Sequence, residues 1–303
     1  MRQALVAIES AEPGNIHWSI YRGLVANGLP CMPLVLPRAG PACGSDNSHL
    51  LATVSGRDDV GMVLTVGPND HLLPEAFDVA KHHGKPIVSI QIDDDWLSRN
   101  GLAQHVDKYG EVLTSAESAV PFYLDHGVRE CRYLPFAVDP KVFYPNRTTP
   151  KNFQVLFVGS ATPHRAQAIA YLRAAGIHAH WYGSGTGRRI PAWSIPYHVW
   201  QAAICLNFSD QPDGVPGMKI RPFEYAACHT CVVSEHWPGD HRLFTHHEMV
   251  FVDSLDEMVQ KIRWLLEDGA RPETFARAAQ ERMIEHTWQE RLREYVERWR
   301  TLL

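Results

Sequence analysis

The chain has 303 residues, 45% of them hydrophobic and 21% charged, with a formal net charge of -5 at pH 7. That length suits two domains of ordinary size, and that composition suits a globular protein in water. The charge excludes a global basic field for DNA or RNA, and no apolar run is long enough to cross a bilayer.

Residues 1–30 lack a basic stretch leading into an apolar one, so no signal peptide is expected. The six cysteines are scattered, as the reduced thiols of a cytoplasmic protein would be. Most of the 17 histidines stand in polar surroundings, as in His82-His83 and His246-His247, and read as surface.

Short apolar strands alternate with amphipathic helices, which predicts an α/β fold. ALVAIE (4–9) is the first strand, and a Pro-Gly loop leads to a helix near 17–27 that stops around Gly28. VGMVLTVG (60–67) is a continuous apolar run, as a strand buried on both faces requires. PEAFDVAKHHG (74–84) is a helix ended by glycine. KPIVSIQI (85–92) is a strand running into DDDW, and EVLTS (111–115) is another. Ser115 is placed to cap the helix that follows. CRYLPFAVDPKVFYPN (131–146) has three prolines and no helical period, and reads as an interdomain linker.

FQVLFVGS (153–160) opens a second strand-loop-helix series, with helix AIAYLRAAG, strand and turn IHAHWYGSG, and strands AICLNFS (203–209) and TCVVSE (230–235). Ser254 and Glu257 form a capping-box pattern before MVQKIRWLLEDG. Trp288, Leu292, Tyr295, Val296, Trp299 and Leu303 share one face of a terminal helix. The expected domains are 1–147 together with 288–303, and 148–287. In parallel α/β sheets, ligands bind beyond the carboxyl ends of the strands, so the loops after positions 9, 67, 92, 159 and 209 are the places to search.

Three sets of residues stand out there. After AICLNFS, Pro222 suits the first turn of a helix whose free N–H groups favour an anion, and Lys219 and Arg221 stand beside it. Arginine offers a fork for phosphate oxygens, and Glu224, one turn in, suits sugar hydroxyls. The plainer alternative is an Arg221–Glu224 surface pair at i,i+3. VLFVGSATPHR supplies a small-residue loop, Gly159 and Ser160, and a further cation, Arg165. In the DDDW stretch, Asp93-x-Asp95 fits a divalent-metal pattern, a general base (Asp93, Asp94 or Asp95), or a helix cap or solvated turn. His17 is another base candidate or a packed residue. Cys228-His229-x-Cys231 lacks the four ligands of a structural zinc site. It reads as a helix end and a strand start, with His229 as a left-handed cap.

YLPFAVDPKVFYP resembles the interdomain segment of group-1 glycosyltransferases of the GT-B fold. LFVGSATPHRAQAIAYLRAAG, LNFS, KIRPFEYAACHTCVVSEHWPGDHRLF and EHTWQERLREYV resemble, in that order, the C-terminal half of the CgeB-like (spore maturation protein) branch. KPIVSIQIDDDW and YGEVLTSAES resemble its N-terminal half. The likeness spans most of residues 60–300. It implies two Rossmann-like domains whose parallel sheets face an interdomain cleft, with the C-terminal helix returning to the first. It also implies a nucleoside diphosphate sugar as co-substrate, no metal or other cofactor, and a hydroxyl acceptor. Arg165, Lys219 and Arg221 would then face the diphosphate, with Arg221 assisting catalysis electrostatically. Glu224 would hold the ribose, and Tyr182, Gly183 and Tyr197 would lie near the base. Relatives often carry an earlier glutamate where this chain has Pro216. The rival readings are a nucleotide-sugar epimerase, a metal-dependent GT-A transferase and a non-catalytic nucleotide-sugar-binding protein.

Overall fold

A computed structural model describes residues 2–37 and 43–303. The chain divides into two compact units, Met1–Pro135 with Trp288–Leu303, and Phe136–Thr287.

Unit 1 is built on β1 (Gln3–Ile8), α1 (Ile16–Ala26), β2 (Cys31–Val35), α2 (Cys43–Ser55) and β3 (Val60–Val66). It continues with a 3-10 turn at 74–77 running into α3 (Asp78–His82), then β4 (Ile87–Gln91), α4 (Asp95–Arg99), β5 (Glu111–Thr114), α5 (Val120–Asp125) and β6 (Glu130–Tyr133). The strands form one parallel sheet in the order β2-β1-β3-β4-β5-β6. Strands β3, β4 and β5 are buried along their whole length; β3 shows the near-continuous apolar run of such a strand, while β4 and β5 carry polar residues (Ser89, Gln91, Glu111, Thr114) inside. Asn15 caps α1 by accepting the His17 N–H at 2.9 Å, and Gly28 ends it in a left-handed conformation (φ 76°).

Unit 2 follows the same plan. It holds β7 (Phe153–Val158), α6 (Pro163–Ala174), β8 (Ala179–Tyr182), α7 (Ile195–Trp200), β9 (Ala202–Asn207), α8 (Arg221–Ala227), β10 (Cys231–Glu235), α9 (Asp240–Leu243), β11 (Val250–Val252), α10 (Leu255–Glu267) and α11 (Ala270–Arg282). Its parallel sheet runs β11-β10-β9-β7-β8. The expected capping box is present in shifted form. Ser254 accepts the Glu257 N–H at 3.2 Å, while the Glu257 carboxylate reaches back to the Asp253 N–H at 2.9 Å.

The terminal helix α12 (Trp288–Arg300) belongs to unit 1, as the resemblance implied. It packs on α1 so closely that a Cβ on Gly23 would stand 2.8 Å from the Trp288 Cβ. Asn27 also donates to the Gln289 carbonyl at 2.7 Å. At the far end Arg298 pairs with Glu111 and with Glu130 (2.6 Å), and the Trp299 indole N–H donates to Glu111 at 2.9 Å. Glu111 ends up in a largely apolar setting that pushes its pKa up, and these donors offset the cost.

Several expectations need correction. The stretch 131–146 is not all linker. It begins inside β6, which pairs with β5, and from Phe136 onward it belongs to unit 2. Its prolines end a strand that the missing helical period concealed. There Val138 donates to the His286 carbonyl at 2.9 Å, and the Trp200 indole donates to the Tyr144 carbonyl at 2.7 Å. Ser115 does not cap a helix, because its hydroxyl turns to Asp94. Strands β2 and β11 and helices α2, α4, α7 and α11 carry too weak a period to be read from sequence.

Arg298→Ala should strip Glu111 of its cation and leave Glu130 with Arg132 alone, at 2.9 Å. Unit 1 should lose about 1–3 kcal/mol in urea-induced unfolding. An unchanged unfolding midpoint would show that the Arg298 pairs add nothing to the hold on α12.

Candidate functional site

The carboxyl edge of the unit 2 sheet gathers most of the sequence candidates. At the end of β7, Gly159 and the β8-end residue Gly183 run against each other. A Cβ on Gly183 (φ 154°) would stand 2.0 Å from the Gly159 oxygen, so only glycine fits. The Gly159 N–H donates to the Tyr182 carbonyl at 2.9 Å, and the Ala161 N–H to the Ser184 carbonyl at 2.8 Å. The two loops thus continue the β7–β8 ladder past the strand ends. The backbone is therefore fixed where Ser160, exposed, leads into α6.

Arg165, one turn into α6, is set by several contacts. Its Nε donates to Asp210 at 2.6 Å and its Nη1 to the Ser160 carbonyl at 3.1 Å, and its guanidinium lies 5.6 Å from the Phe157 ring centre. Thr162 caps α6 by accepting the Arg165 N–H at 3.2 Å and donates its hydroxyl to Asp210 at 2.8 Å. Next to Arg165, the His164 Nε2 meets Glu235 at 2.6 Å. Asp210 and Glu235, both at strand ends, were absent from the sequence candidates. The signal for Asp210 was positional, since the loop after 209 was already a place to search; Glu235, at the end of β10, had no such signal.

Helix α8 opens with Arg221 and Pro222, as the missing proline N–H allows. Arg221 Nε donates to the Val158 carbonyl at 3.1 Å, and Nη1 pairs with Glu224. The i,i+3 alternative is thus realised, but in the interior, because Glu224 is 2% exposed. Burial pushes the Glu224 carboxyl up and the Arg221 charge pulls it back. Tyr225 exchanges hydrogen bonds with Val158, accepting its N–H at 3.1 Å and facing its carbonyl at 3.2 Å. Lys219, half-buried just before the helix, makes no hydrogen bond or ion pair among the described residues.

Tyr182 lies under Arg188, whose guanidinium is 4.6 Å from the ring centre and whose Nη2 donates to the hydroxyl at 3.1 Å. Its neighbour on α7 is His198 (4.7 Å between ring centres). Tyr197 turns elsewhere and packs with Trp200 (4.8 Å) and Trp193 (6.3 Å).

The edge of the unit 1 sheet separates the DDDW carboxylates. Asp94 is fully buried and accepts from Thr114 (2.7 Å), Tyr123 (2.9 Å) and Ser115 (3.4 Å). Burial outweighs these bonds and raises its pKa to about 6. Asp95 accepts the Trp96 N–H at 3.0 Å and stands 3.9 Å from Arg99. Asp93 is exposed, with a left-handed backbone (φ 55°) held by its N–H bond to Ser115 at 3.2 Å. His17 is 5% exposed, at the ends of β1 and β3. The Glu9 N–H donates to its Nδ1 at 3.3 Å, and its Nε2 is 3.8 Å from the Glu9 carboxylate.

Cys228 is the residue that closes α8 and Cys231 the first of β10, and burial pushes both thiols up. His229 has φ 60°, the left-handed cap expected, with Nε2 on Glu273 at 2.7 Å. Among the described residues no group of three His, Cys, Asp or Glu side chains could hold a metal ion. Among them too, no helix is long and apolar enough to cross a membrane.

The fold has known counterparts. HepE of Anabaena, solved with UDP-glucose, superposes with a TM-score of 0.71 at 12% identity, over 100% of both chains. Sucrose-phosphate synthase of Thermosynechococcus elongatus gives 0.70 at 13% identity, over 99% of each chain. The T4 phage glucosyltransferase BGT, solved with its UDP-glucose substrate, gives 0.65 at 12% identity, over 100% of this chain and 99% of the other. The fold is GT-B. Within it, residues 163–297 match the family model described as glycosyl transferase-like. That stretch starts at the first turn of α6 and takes in Arg165, Asp210, Lys219, Arg221 and Glu224. No curated protein matches the sequence.

In this GT-B protein Asp94 should act as a pH-dependent element of unit 1. Its folded pKa, about 6, exceeds the ordinary 3.8, so the stability it contributes is complete below the lower value and is lost as pH rises through the higher. Asp94→Asn does not titrate. The unfolding free energy of the natural protein relative to Asp94→Asn should therefore fall by on the order of 3 kcal/mol across that window. A flat difference would mean that Asp94 stays ionised throughout.

Proposed function

We propose that the protein is a glycosyltransferase that moves a sugar from a nucleoside diphosphate sugar to a hydroxyl acceptor. The observation that carries this reading is the cation set at the carboxyl edge of the unit 2 sheet, Arg165, Lys219 and Arg221, within the glycosyl transferase-like stretch. The order of motifs along the chain supports the narrower assignment to the CgeB-like branch. UDP is the first nucleotide to test, because HepE and BGT were both solved with UDP-glucose.

In the proposed mechanism the bond between the sugar and the diphosphate breaks as the acceptor oxygen bonds to the sugar. Negative charge gathers on the departing diphosphate, and the protein cations stabilise it there without a divalent ion. Lys219 is the cation least committed to protein partners. Arg221 and Glu224 serve as a pair, the guanidinium toward phosphate and the carboxylate toward ribose hydroxyls. Tyr182 and Gly183 lie toward the base, and His198 suits that neighbourhood better than Tyr197, being the residue against Tyr182. The acceptor proton is assigned to Asp93. Asp94 and Asp95 are committed to hydrogen bonds within unit 1, and the Nδ1 lone pair of His17 already faces a main-chain N–H.

A thermal-shift panel of nucleoside diphosphates and their sugars, run with a chelator present, tests the donor site. At a hundredfold excess over Kd, a bound nucleotide adds about 2.7 kcal/mol to stability. Lys219→Ala should leave the ligand-free melting temperature unchanged and weaken nucleotide binding about tenfold, the loss of one charge-assisted contact. No shift with any nucleoside diphosphate would overturn the reading.

For the base, Asp93→Asn should leave nucleotide affinity intact and slow diphosphate release to a supplied acceptor by about a hundredfold or more. Full turnover in Asp93→Asn, with loss in His17→Gln, would move the role to His17.

A further inference from the structure

Asp210 stands next to a residue fixed from three sides. The Ser209 N–H donates to Glu235 Oε2 at 2.8 Å, its hydroxyl donates to the Glu235 carbonyl at 3.1 Å, and its carbonyl accepts from the Gly217 N–H at 2.8 Å. From that anchored position the Asp210 carboxylate closes a ring of hydrogen bonds. One oxygen accepts from Arg165 Nε (2.6 Å) and the other from the Thr162 hydroxyl (2.8 Å). The Thr162 oxygen in turn accepts the Arg165 main-chain N–H (3.2 Å). Asp210 therefore holds Arg165 at two points, directly through its side chain and indirectly through the residue that caps its helix.

The guanidinium has few freedoms left. Nε is on Asp210, Nη1 on Ser160, and the plane sits over Phe157. Nη2 makes no hydrogen bond among the described residues. The side chains of Arg165 and Asp210 are 11% and 13% exposed, so solvent screens their interaction only weakly.

We propose that Asp210 is a positioning residue, which sets Arg165 so that its Nη2 edge meets the diphosphate of the donor. The inference rests on the donor-site reading above. An arginine ordered before its ligand arrives loses less conformational freedom on binding. The same carboxylate also repels a phosphate nearby. The two effects have opposite signs, and the proposal is that positioning outweighs repulsion.

A double-mutant cycle on nucleoside diphosphate affinity, measured by calorimetry with UDP as the first probe, separates them. Asp210→Ala should weaken binding about tenfold in the natural background, whereas Asp210→Asn, which keeps an acceptor for Nε, should weaken it about threefold. In an Arg165→Ala background, Asp210→Ala should leave affinity unchanged or tighten it, since only repulsion remains. General damage to the fold would weaken binding equally in both backgrounds and would overturn the proposal. So would tighter binding by Asp210→Ala alone. If Asp210→Ala does not fold, Asp210→Asn decides by the same sign, weaker for positioning and tighter for repulsion. Absence of nucleoside diphosphate binding by the natural protein would remove the donor-site reading itself, and this inference with it. Binding with the wrong pattern in the cycle would remove this inference alone.

Discussion

A carboxylate buried to 2% exposure cannot stay ionised without a cation beside it, and Glu224 meets that need with Arg221. The consequences spread from this pair. Arg221, held there, also donates to the Val158 carbonyl at the end of β7, and Tyr225 takes both main-chain groups of the same residue. Helix α8 is thereby locked to the strand end from which the Gly159–Ser160 loop departs. That loop is locked in turn to the β8 end by main-chain bonds that a side chain on Gly183 would forbid. One buried charge pair thus sets the frame in which the loop cations stand.

The same device recurs along this edge. Arg165 is matched by Asp210 as Arg221 is matched by Glu224. Half-buried Lys219 is the cation of the set without such a match. Matching lets partly buried charges be held rigidly at modest cost, because each desolvated group keeps a hydrogen-bonded partner. It also lowers the net positive field, so a ligand is attracted less by bulk charge than by the arrangement of donors. A rigid set of donors is what stabilises charge that appears only as a reaction proceeds.

The fold was largely legible, and the reason is physical. Strands buried on both faces favour continuous apolar runs, and β3 shows one, as do β1 after Gln3, β7 after Gln154 and β9 up to Asn207. Edge strands do not. β2 holds a proline and β6 a charged residue at each alternate step, so neither carries that signature. Of the candidate site, positions were legible and partners were not. That Arg165 and Lys219 stand at strand-to-helix turns follows from chain order. That Arg165 meets Asp210, 45 residues away, follows only from the parallel order β9-β7, which no local pattern encodes. Likewise nothing in the sequence distinguishes Tyr197 from His198. One helical step turns the first toward Trp200 and the second toward Tyr182.

The DDDW stretch shows how far residue type alone falls short. Three consecutive aspartates receive three environments, because the backbone turns sharply at Asp93 and then starts a helix. Asp93 takes the left-handed conformation that aspartate tolerates better than most residues, which leaves its side chain in solvent. Asp94 is swung inward to three hydroxyl groups, where burial makes it a weak acid. Asp95 turns to its own helix start, where a carboxylate is favoured by the free N–H groups. The turn that buries Asp94 leaves Asp93 exposed and Asp95 at the helix start beside Arg99. The same turn leaves Asp93 as the carboxylate of the three to which a proton from outside the protein has access.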